Sequence, residues 1–204
     1  RFDGRDENDE TRWTLATELG WTQILTSTTL LDLSVTHIAQ GGFLAGQFNS
    51  VFVNGIEQAE MLPGDRQRTS VTARVKQAIG EQHAIEVGGR YYRDDWGIQA
   101  GTANLEYAVW LDAGKRFLLR PGYRLHVQGA ADAYAPSFTA ESLGTGHTSD
   151  PDLGDFTGHT GSLGFTMRHI FGDGTGDIDL SASLSTRSNG LQMAWGSLGY
   201  RIEF

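Results

Sequence analysis

Arginines and carboxylates recur at alternate positions along this chain, and such side chains could bind or guide charged solutes. The set comprises Arg74, Arg90, Arg124, Arg168 and Arg201 with Glu18, Asp32, Glu86, Glu106 and Asp179. An arginine guanidinium can hold a carboxylate through two parallel hydrogen bonds. We expect a charge network formed by Glu86, Arg90, Asp94, Glu106, Arg124 and Gln128. That network would either brace the interior of the protein or line a selective constriction.

The histidines give little support for catalysis. None of the six stands in an H-x-x-x-H or H-E-x-x-H pair, and the chain has no cysteine for a thiolate site. A serine hydrolase needs a histidine beside a serine and an acid. His126 has an inward position in the pattern described below, but no serine occurs in the required context. We therefore predict that the chain is not an enzyme.

One acidic run is a weak candidate for a cation site. Asp150, Asp152 and Asp155 place three carboxylates within six residues, and Ca²⁺ prefers clustered oxygen ligands. The spacing is not that of an EF-hand, and a solvated loop explains the run equally simply. The Gly-rich run at 172–177 is better explained by turn chemistry. No other metal or cofactor is expected.

The elements that must position these side chains alternate apolar and polar residues with a period of two, which indicates β-strands. Nine such segments occur, at 12–22, 31–39, 69–77, 85–92, 104–111, 123–128, 162–168, 177–185 and 197–204. Most approach the ten residues of a tilted membrane strand, whereas globular strands average five or six. No apolar run approaches the roughly 18 residues of a membrane helix. The net charge of −9 argues against nucleic acid as a partner.

The connections between these segments sort into two alternating kinds. Short turns are expected at 26–28, 80–83, 112–116 and 172–176, and long connections at 41–66 and 131–155, with smaller ones near 93–97 and 188–190. Tight periplasmic turns and larger extracellular loops alternate in this way in outer-membrane barrels. We predict one all-β domain over residues 1–204, a transmembrane antiparallel up-and-down β-barrel, with residues 1–10 as an acidic extracellular loop.

The outer faces of the predicted strands contain no charged residue in their central portions, as a lipid-facing surface requires. Trp13 and Trp21 share one face and lie roughly 20 Å apart along a tilted strand, near the spacing of two interfacial belts. Together with Tyr200 and Phe204 they are the expected aromatic girdle. A soluble β-sandwich is the alternative, because its strands would alternate in the same way.

The last eight residues, 197–204, resemble the C-terminal β-signal of outer-membrane barrels, with Gly199, Ile202 and the terminal aromatic Phe204 in the expected places. The resemblance implies recognition by the barrel-assembly machinery. If Phe204 ends on the periplasmic side, the first and last of nine strands run in the same direction. A closed bacterial barrel has an even number of strands. We therefore expect that the chain lacks N-terminal strands of a larger barrel, unless the true count is eight or ten.

A second resemblance covers roughly residues 10–170. The stretch Arg90-Tyr91-Tyr92-Arg93-Asp94-Asp95-Trp96-Gly97-Ile98 and the later stretch from Tyr123-Arg124 to Gln128 and Tyr134 are similar to motifs of the bacterial outer-membrane family known as domain of unknown function 3570. Gly101 and Ala133 depart from that pattern. The resemblance implies an outer-membrane barrel and brings no established activity.

Three classes of function remain open from the sequence. The preferred one is a narrow channel or porin-like protein in the bacterial outer membrane. The second is a structural barrel that anchors or sheathes a larger cell-envelope complex, and the third is an outer-membrane enzyme. The expected partners are outer-membrane lipid and lipopolysaccharide, the assembly machinery and a possible cell-envelope protein. Partner specificity should reside in the long loops, because loops tolerate variation.

Overall fold

The computed structural model of this chain describes residues 11–46, 49–168 and 176–202. These residues form eleven strands: β1 (Arg12–Thr26), β2 (Thr29–Gly42), β3 (Ser50–Val53), β4 (Ile56–Ala59), β5 (Asp65–Ile79), β6 (His83–Asp94), β7 (Gln99–Trp110), β8 (Phe117–Gln128), β9 (Phe156–Arg168), β10 (Gly176–Arg187) and β11 (Gln192–Ile202). Among the described residues, no helix has the length and hydropathy needed to cross a membrane.

Nine of the strands form one antiparallel sheet in the order β1-β2-β5-β6-β7-β8-β9-β10-β11. The nine predicted segments are these nine strands, so the predicted all-β antiparallel organisation is confirmed. The strands contain 11 to 15 residues and extend beyond the predicted segments. Their ends hold threonine, glutamine and glycine, which break the apolar alternation without interrupting the backbone pairing. The apolar alternation alone therefore predicts segments that are shorter than the strands.

Short turns join the strands at one edge of this sheet, and longer connections join them at the other. The turn edge has the connections at 27–28, 80–82 and 111–116. The loop edge has the connections at 43–64, 95–98, 129–155 and 188–191. The predicted turn near 172–176 falls mostly on 169–175, outside the described residues. The predicted alternation of turns and loops is present wherever the chain is described.

One face of the sheet is apolar and open to its surroundings. Leu33 pairs directly with Trp21 on β1 and with Ala73 on β5, and paired residues share a face. Large apolar side chains on this face remain exposed, up to 74% for Leu19 and Leu198. A soluble sandwich would bury one face of its sheet against a core. The outward apolar face found here is the surface that a hydrocarbon environment requires.

Across the sheet, the hydrogen-bonded rows are staggered along the strands. One row starts at Trp21, near the turn end of β1, and passes through Ala73 and Ala103. It then reaches His159 and finishes at Gln192, the loop end of β11. Such a stagger means that the strands tilt relative to the axis about which the sheet curves, as in the wall of a barrel.

The wall has two edges. Within the described residues, β1 and β11 are not paired with each other, and both faces of each strand are exposed. Both strands run from the loop edge to the turn edge, so they are parallel to each other. An all-antiparallel cylinder that included them would need an odd number of additional strands between them.

The two long connections pack together into a loop cap, defined here as residues 49–64 and 129–155. Strands β3 and β4 form a hairpin within it. Val51, Val53 and Phe138 are its buried apolar cluster, and Ala135 and Leu143 pack against them. Backbone bridges join Val53 to Phe138 and Met61 to His147. The segment 41–66, predicted as a loop, therefore contains a hairpin with its own small core.

Candidate functional site

The polar face of the wall carries the charged residues singled out from the sequence. Glu86 pairs with Glu106 across β6 and β7, and Arg124 pairs with Asn104 across β7 and β8. Arg90 and Gln128 lie on the same face, because their pairing partners Thr102 and Ala100 alternate with the apolar residues of β7. Asp94 lies at the loop end of that face on β6. The six side chains thus share one face, which we call the inner face.

The structure does not join these six side chains into one network. Glu86, Arg90, Asp94 and Arg124 instead each contact a side chain on a neighbouring strand. Glu86 lies between two cations of β5, with its carboxylate 3.3 Å from Arg74 Nε and 3.1 Å from Lys76 Nζ. Among the described residues, Glu106 has no salt bridge. The strand register is the reason: Glu86 is opposite the like-charged Glu106, and Arg124 is opposite Asn104.

Asp94 is the centre of a buried polar cluster at the loop end of the wall. Its Oδ2 accepts hydrogen bonds from Arg66 Nη2 at 2.5 Å, Arg66 Nε at 2.9 Å and Tyr92 Oη at 2.8 Å. Its Oδ1 accepts from the backbone N–H of Ile98 at 2.9 Å. The Asp94 side chain is fully buried and Arg66 is 13% exposed. Both oxygens of the Asp94 carboxylate therefore accept charge-assisted hydrogen bonds from groups of the protein.

Trp96 extends this cluster to the neighbouring loop. Its indole N–H donates to the backbone oxygen of Asp65 at 2.9 Å, and the Arg66 guanidinium lies over its ring at 4.2 Å. Gly97 has φ of 89°, and a side chain there would collide with Asp132. The Trp-Gly pair thus forms a tight turn that fits beneath the loop cap. Trp96 is buried in this cluster.

Sequence reasoning did not assign Arg66 to this cluster. Arg66 lies at the start of β5, in the last residues of a segment predicted as loop, and its separation from Asp94 is 28 residues. The sequence held only an indirect signal for this pair, because an aspartate within the RYYxDxWxI stretch needs a cation once it is buried. The antiparallel pairing of β5 with β6 brings Arg66 to that aspartate. Pairing register, which sequence alone did not give at the strand ends, decides the partner.

Arg90 and Arg124 differ from Arg66 because they donate to neutral side chains. Arg90 Nη2 donates to Ser70 Oγ at 3.2 Å and its guanidinium lies 5.8 Å from the Tyr92 ring centre. Arg124 Nε donates to Asn104 Oδ1 at 2.7 Å. Among the described residues, neither has a carboxylate partner. Both side chains are exposed on the inner face, so their charges are open to solvent.

His126 lies on the inner face but not in a catalytic arrangement. Its Nδ1 is 2.8 Å from Thr102 Oγ1, and its ring lies 5.4 Å from that of Phe156. The neighbouring hydroxyl belongs to threonine, and no acid completes a Ser-His-acid geometry around His126 in the described part of the chain. The prediction that the protein is not an enzyme stays a prediction.

The three aspartates considered for a cation are spread apart by other contacts. Asp150 Oδ2 accepts from Asn49 Nδ2 at 3.0 Å, and Asp152 Oδ1 lies 2.6 Å from Arg187 Nη1. Asp155 is exposed. Over the described residues, no group of three or more His, Cys, Asp or Glu side chains is arranged to hold a metal ion.

Part of the loop cap is fastened to the inner face. Gln128 Nε2 donates to the backbone oxygens of Asp152 and Gly154, both at 2.9 Å. Arg187, on the inner face of β10, holds Asp152 and lies 4.4 Å over the Phe156 ring. The segment around 150–154 therefore lies against the polar side of the wall at its loop end. Gln128, predicted as part of the charge network, positions this loop instead.

The predicted girdle residues lie on the apolar face. Trp13 is at the loop end of β1, where its ring covers Gly41, and Trp21 is nearer the turn end. Tyr200 pairs with Ile178 on the same face. Phe204 and residues 1–10 lie outside the described residues, so the C-terminal signal and the acidic loop stay predictions.

The fold of this chain is similar to that of solved outer-membrane proteins. The chain is similar to the outer-membrane expressed OmpT of Vibrio cholerae, with a TM-score of 0.62 and 13% identity over 93% of this chain and 56% of that one. It is also similar to the in-vitro folded, trimeric form of OmpT from Vibrio cholerae, with a TM-score of 0.54 and 10% identity over 92% of this chain and 56% of that one. The wall thus has the fold of outer-membrane β-barrel proteins, and this chain spans about half the length of those it matches.

The chain belongs to the family described as "Protein of unknown function (DUF3570)", whose model matches residues 1–184. The family named from the RYYxDxWxI stretch is therefore confirmed. No curated protein matches the chain.

Proposed function

We propose that this protein is part of an outer-membrane β-barrel of a Gram-negative bacterium and forms a narrow channel for charged solutes. One observation carries the proposal: a tilted nine-stranded sheet exposes an apolar face on one side and a charged, hydrophilic face on the other. Such a sheet is stable when hydrocarbon meets the first face and water meets the second. The fold of the similar outer-membrane proteins supports the same location.

The closed barrel would include strands beyond the nine described. In the described part of the chain, the 15-residue strand β1 pairs on one side only, and unpaired backbone groups are costly in a membrane. Closure by an odd number of further strands pairs both edges. The similar structures are longer than this chain, which leaves room for such strands in a complete wall.

A channel is favoured over a filled scaffold by the inner face. Arg90, Arg124 and Glu106 are exposed there, and their charges need water or a solute. The segment around 150–154 lies against the inner face at the loop end, where it would narrow the opening. Loops folded into the lumen in this way set the width of a pore.

The scaffold remains the second candidate because of the loop cap. Its buried cluster and its bridges make an ordered surface at the loop end, and an ordered surface can bind another protein without losing much entropy. Attachment to a cell-envelope complex is therefore the alternative role that we propose for the same barrel.

Bilayer conductance of the purified full-length protein tests the channel. We expect discrete single-channel steps after incorporation into a planar bilayer, and heat-denatured protein as a control should give none. Absence of current from protein shown to be folded by its heat-modifiable gel mobility would contradict the channel and leave the scaffold. Recovery of the protein in the soluble fraction of lysed cells would contradict both.

A further inference from the structure

A set of cationic side chains on the inner face has no acidic partner within the described residues. Within these residues, salt bridges pair six cations with carboxylates: Arg66, Arg74, Lys76, Arg120, Arg168 and Arg187. Arg68, Arg90 and Arg124 are absent from these pairs. All three lie on the inner face, on β5, β6 and β8. We call them the free-arginine row.

The three arginines lie on a diagonal across the wall, each in a different row of paired residues. Arg90 donates to Ser70, which is two residues from Arg68 on the same face of β5. Arg90 pairs with Thr102, and Thr102 pairs with His126, which is two residues from Arg124 on the same face of β8. Arg124 is level with Arg74, six residues from Arg68 along β5. With strands about 4.8 Å apart and about 3.4 Å per residue along a strand, the backbone positions of Arg68 and Arg124 lie about 25 Å apart on a diagonal.

Arg68 adds a donor with no partner inside the described part of the protein. Its Nε is buried and has no hydrogen-bond partner, although the rest of the side chain is only partly buried. Its cross-strand neighbour Asp94 cannot serve it, because Arg66, Tyr92 and the Ile98 N–H already occupy both oxygens of that carboxylate. A ligand oxygen or water must satisfy this donor.

Most carboxylates of the inner face lie nearer the turn edge. Glu18 on β1 is an exception, because its row passes through Thr36 and Ser70 to Tyr92. Glu86 and Glu106 lie in a row below Arg90, and Asp177 and Asp179 lie near the start of β10. At the loop end, Asp94 is neutralised by Arg66 and Asp152 by Arg187. From β5 to β8, the half of the inner face nearer the loop edge therefore has uncompensated positive charge, although the whole chain has a net charge of −9.

We propose that Arg68, Arg90 and Arg124 form a binding site for a multivalent anion that carries several phosphate or carboxylate groups. Guanidinium groups pair with both kinds of oxyanion through charge-assisted hydrogen bonds. A diagonal set of cations about 25 Å long fits an elongated anion with several charged groups better than a single small ion. This site would make multivalent anions the solute class of the proposed channel. It rests on the proposed function in one respect, which is that the inner face must be open to water.

Tripolyphosphate is the probe, and its binding to the detergent-solubilised full-length protein can be followed by isothermal titration calorimetry. The test variant is Arg90→Gln with Arg124→Gln, which keeps much of the side-chain length and removes two charges. The matched control is Lys115→Gln with Arg116→Gln in the β7–β8 turn, which removes the same charge away from the row. Heat-modifiable gel mobility shows that each variant is folded. If the double variant does not fold, the single Arg124→Gln variant replaces it.

We expect the row variant to weaken tripolyphosphate binding at least about tenfold, because each lost charge-assisted hydrogen bond is worth about one such factor or more. The control should stay within about twofold. Equal losses in both variants, or no binding by the wild-type protein, would overturn the site. Binding is measured without current, so tripolyphosphate bound by a protein with no conductance would reject the channel and support the site. A conducting protein that does not bind tripolyphosphate would reject the site alone.

Discussion

Asp94 is the centre of the buried polar cluster at the loop end of the wall. Its buried carboxylate pairs with Arg66 and accepts from Tyr92 and the Ile98 N–H. Replacing Asp94 with Asn removes the charge and leaves the nearly buried Arg66 guanidinium without a counter-ion. Breaking a buried pair in this way costs about 3–5 kcal/mol. We expect a corresponding fall in the free energy of unfolding, measured by urea titration in detergent micelles.

Asp95→Asn is the control for that change. Asp95 is the next residue, is exposed, and accepts one hydrogen bond, from the backbone N–H of Gln67 at 2.9 Å. Its replacement should cost less than about 1 kcal/mol, as for an exposed group. Equal effects of the two substitutions would show that burial of the Asp94–Arg66 pair is not the source of its importance.

Asp112, in the β7–β8 turn, makes a contribution that depends on pH. The backbone N–H of Phe117, and next that of Arg116, hold the pKa of the Asp112 carboxyl below its usual range. Because the folded pKa is lower than the unfolded value of about 3.9, the stabilisation is complete above that value. It is lost as the pH falls through the lower, folded pKa.

We therefore expect Asp112→Asn to have a lower urea midpoint than the wild type at pH 7, with the difference narrowing as the pH is lowered below about 4. Urea titrations at pH 7, 4 and 3 measure this convergence. A difference that stayed constant over that range would mean that the charged form of Asp112 is not what stabilises the turn.

At the scale of the strand, a new charge should reduce folding on the apolar face and be tolerated on the inner face. Leu163, near the middle of β9, is 50% exposed on the apolar face, and Ser162 beside it points to the inner face. An arginine on the lipid side costs about 2–4 kcal/mol near the bilayer midplane. Leu163→Arg should therefore reduce the yield of protein folded into lipid vesicles, whereas Ser162→Arg should not.

Heat-modifiable gel mobility measures the folded fraction of both variants. The two variants are matched in position and in added charge, so a difference in folded fraction reports the effect of the face on which the arginine lies. If Ser162→Arg reduced folding as much as Leu163→Arg, the assignment of lipid and water to the two faces would be wrong.

At the scale of the whole molecule, the wall and the loop cap should be separable. The cap depends on a small core in which Phe138 packs against Val51 and Val53, while the wall is held by its own backbone pairing. Phe138→Ala removes a buried aromatic ring, a change that costs about 3–5 kcal/mol in a core. We expect the cap to open and the wall to remain folded.

Limited proteolysis followed by mass spectrometry tests this separation. The variant should be cleaved faster within 49–64 and 129–155, with the strands protected. Phe52→Ala is the control, because Phe52 lies on the same hairpin and is 53% exposed. Faster cleavage throughout the strands would mean that cap and wall fold as one unit.

Strand periodicity by itself determines much of this wall. Residues such as Leu33, Val87 and Leu105 belong to runs with an apolar residue at every second position, and the side-chain period of a strand is two. The face of each strand, the order of turns and loops, and the inward position of Arg90 and Arg124 follow from that period. These are local properties, so the sequence contains them directly.

Only the tertiary structure decided which charges meet. Asp94 pairs with Arg66 rather than with the other predicted members of its network, and Gln128 holds the loop at 152–154. Ion pairs form over a few ångströms, and the register between strands that are distant in sequence sets which side chains come that close. The packing of Phe138 on Val51 likewise joins two loops 87 residues apart. Long-range register and loop packing are not encoded in the period of any single strand, and they determine which arginines remain free.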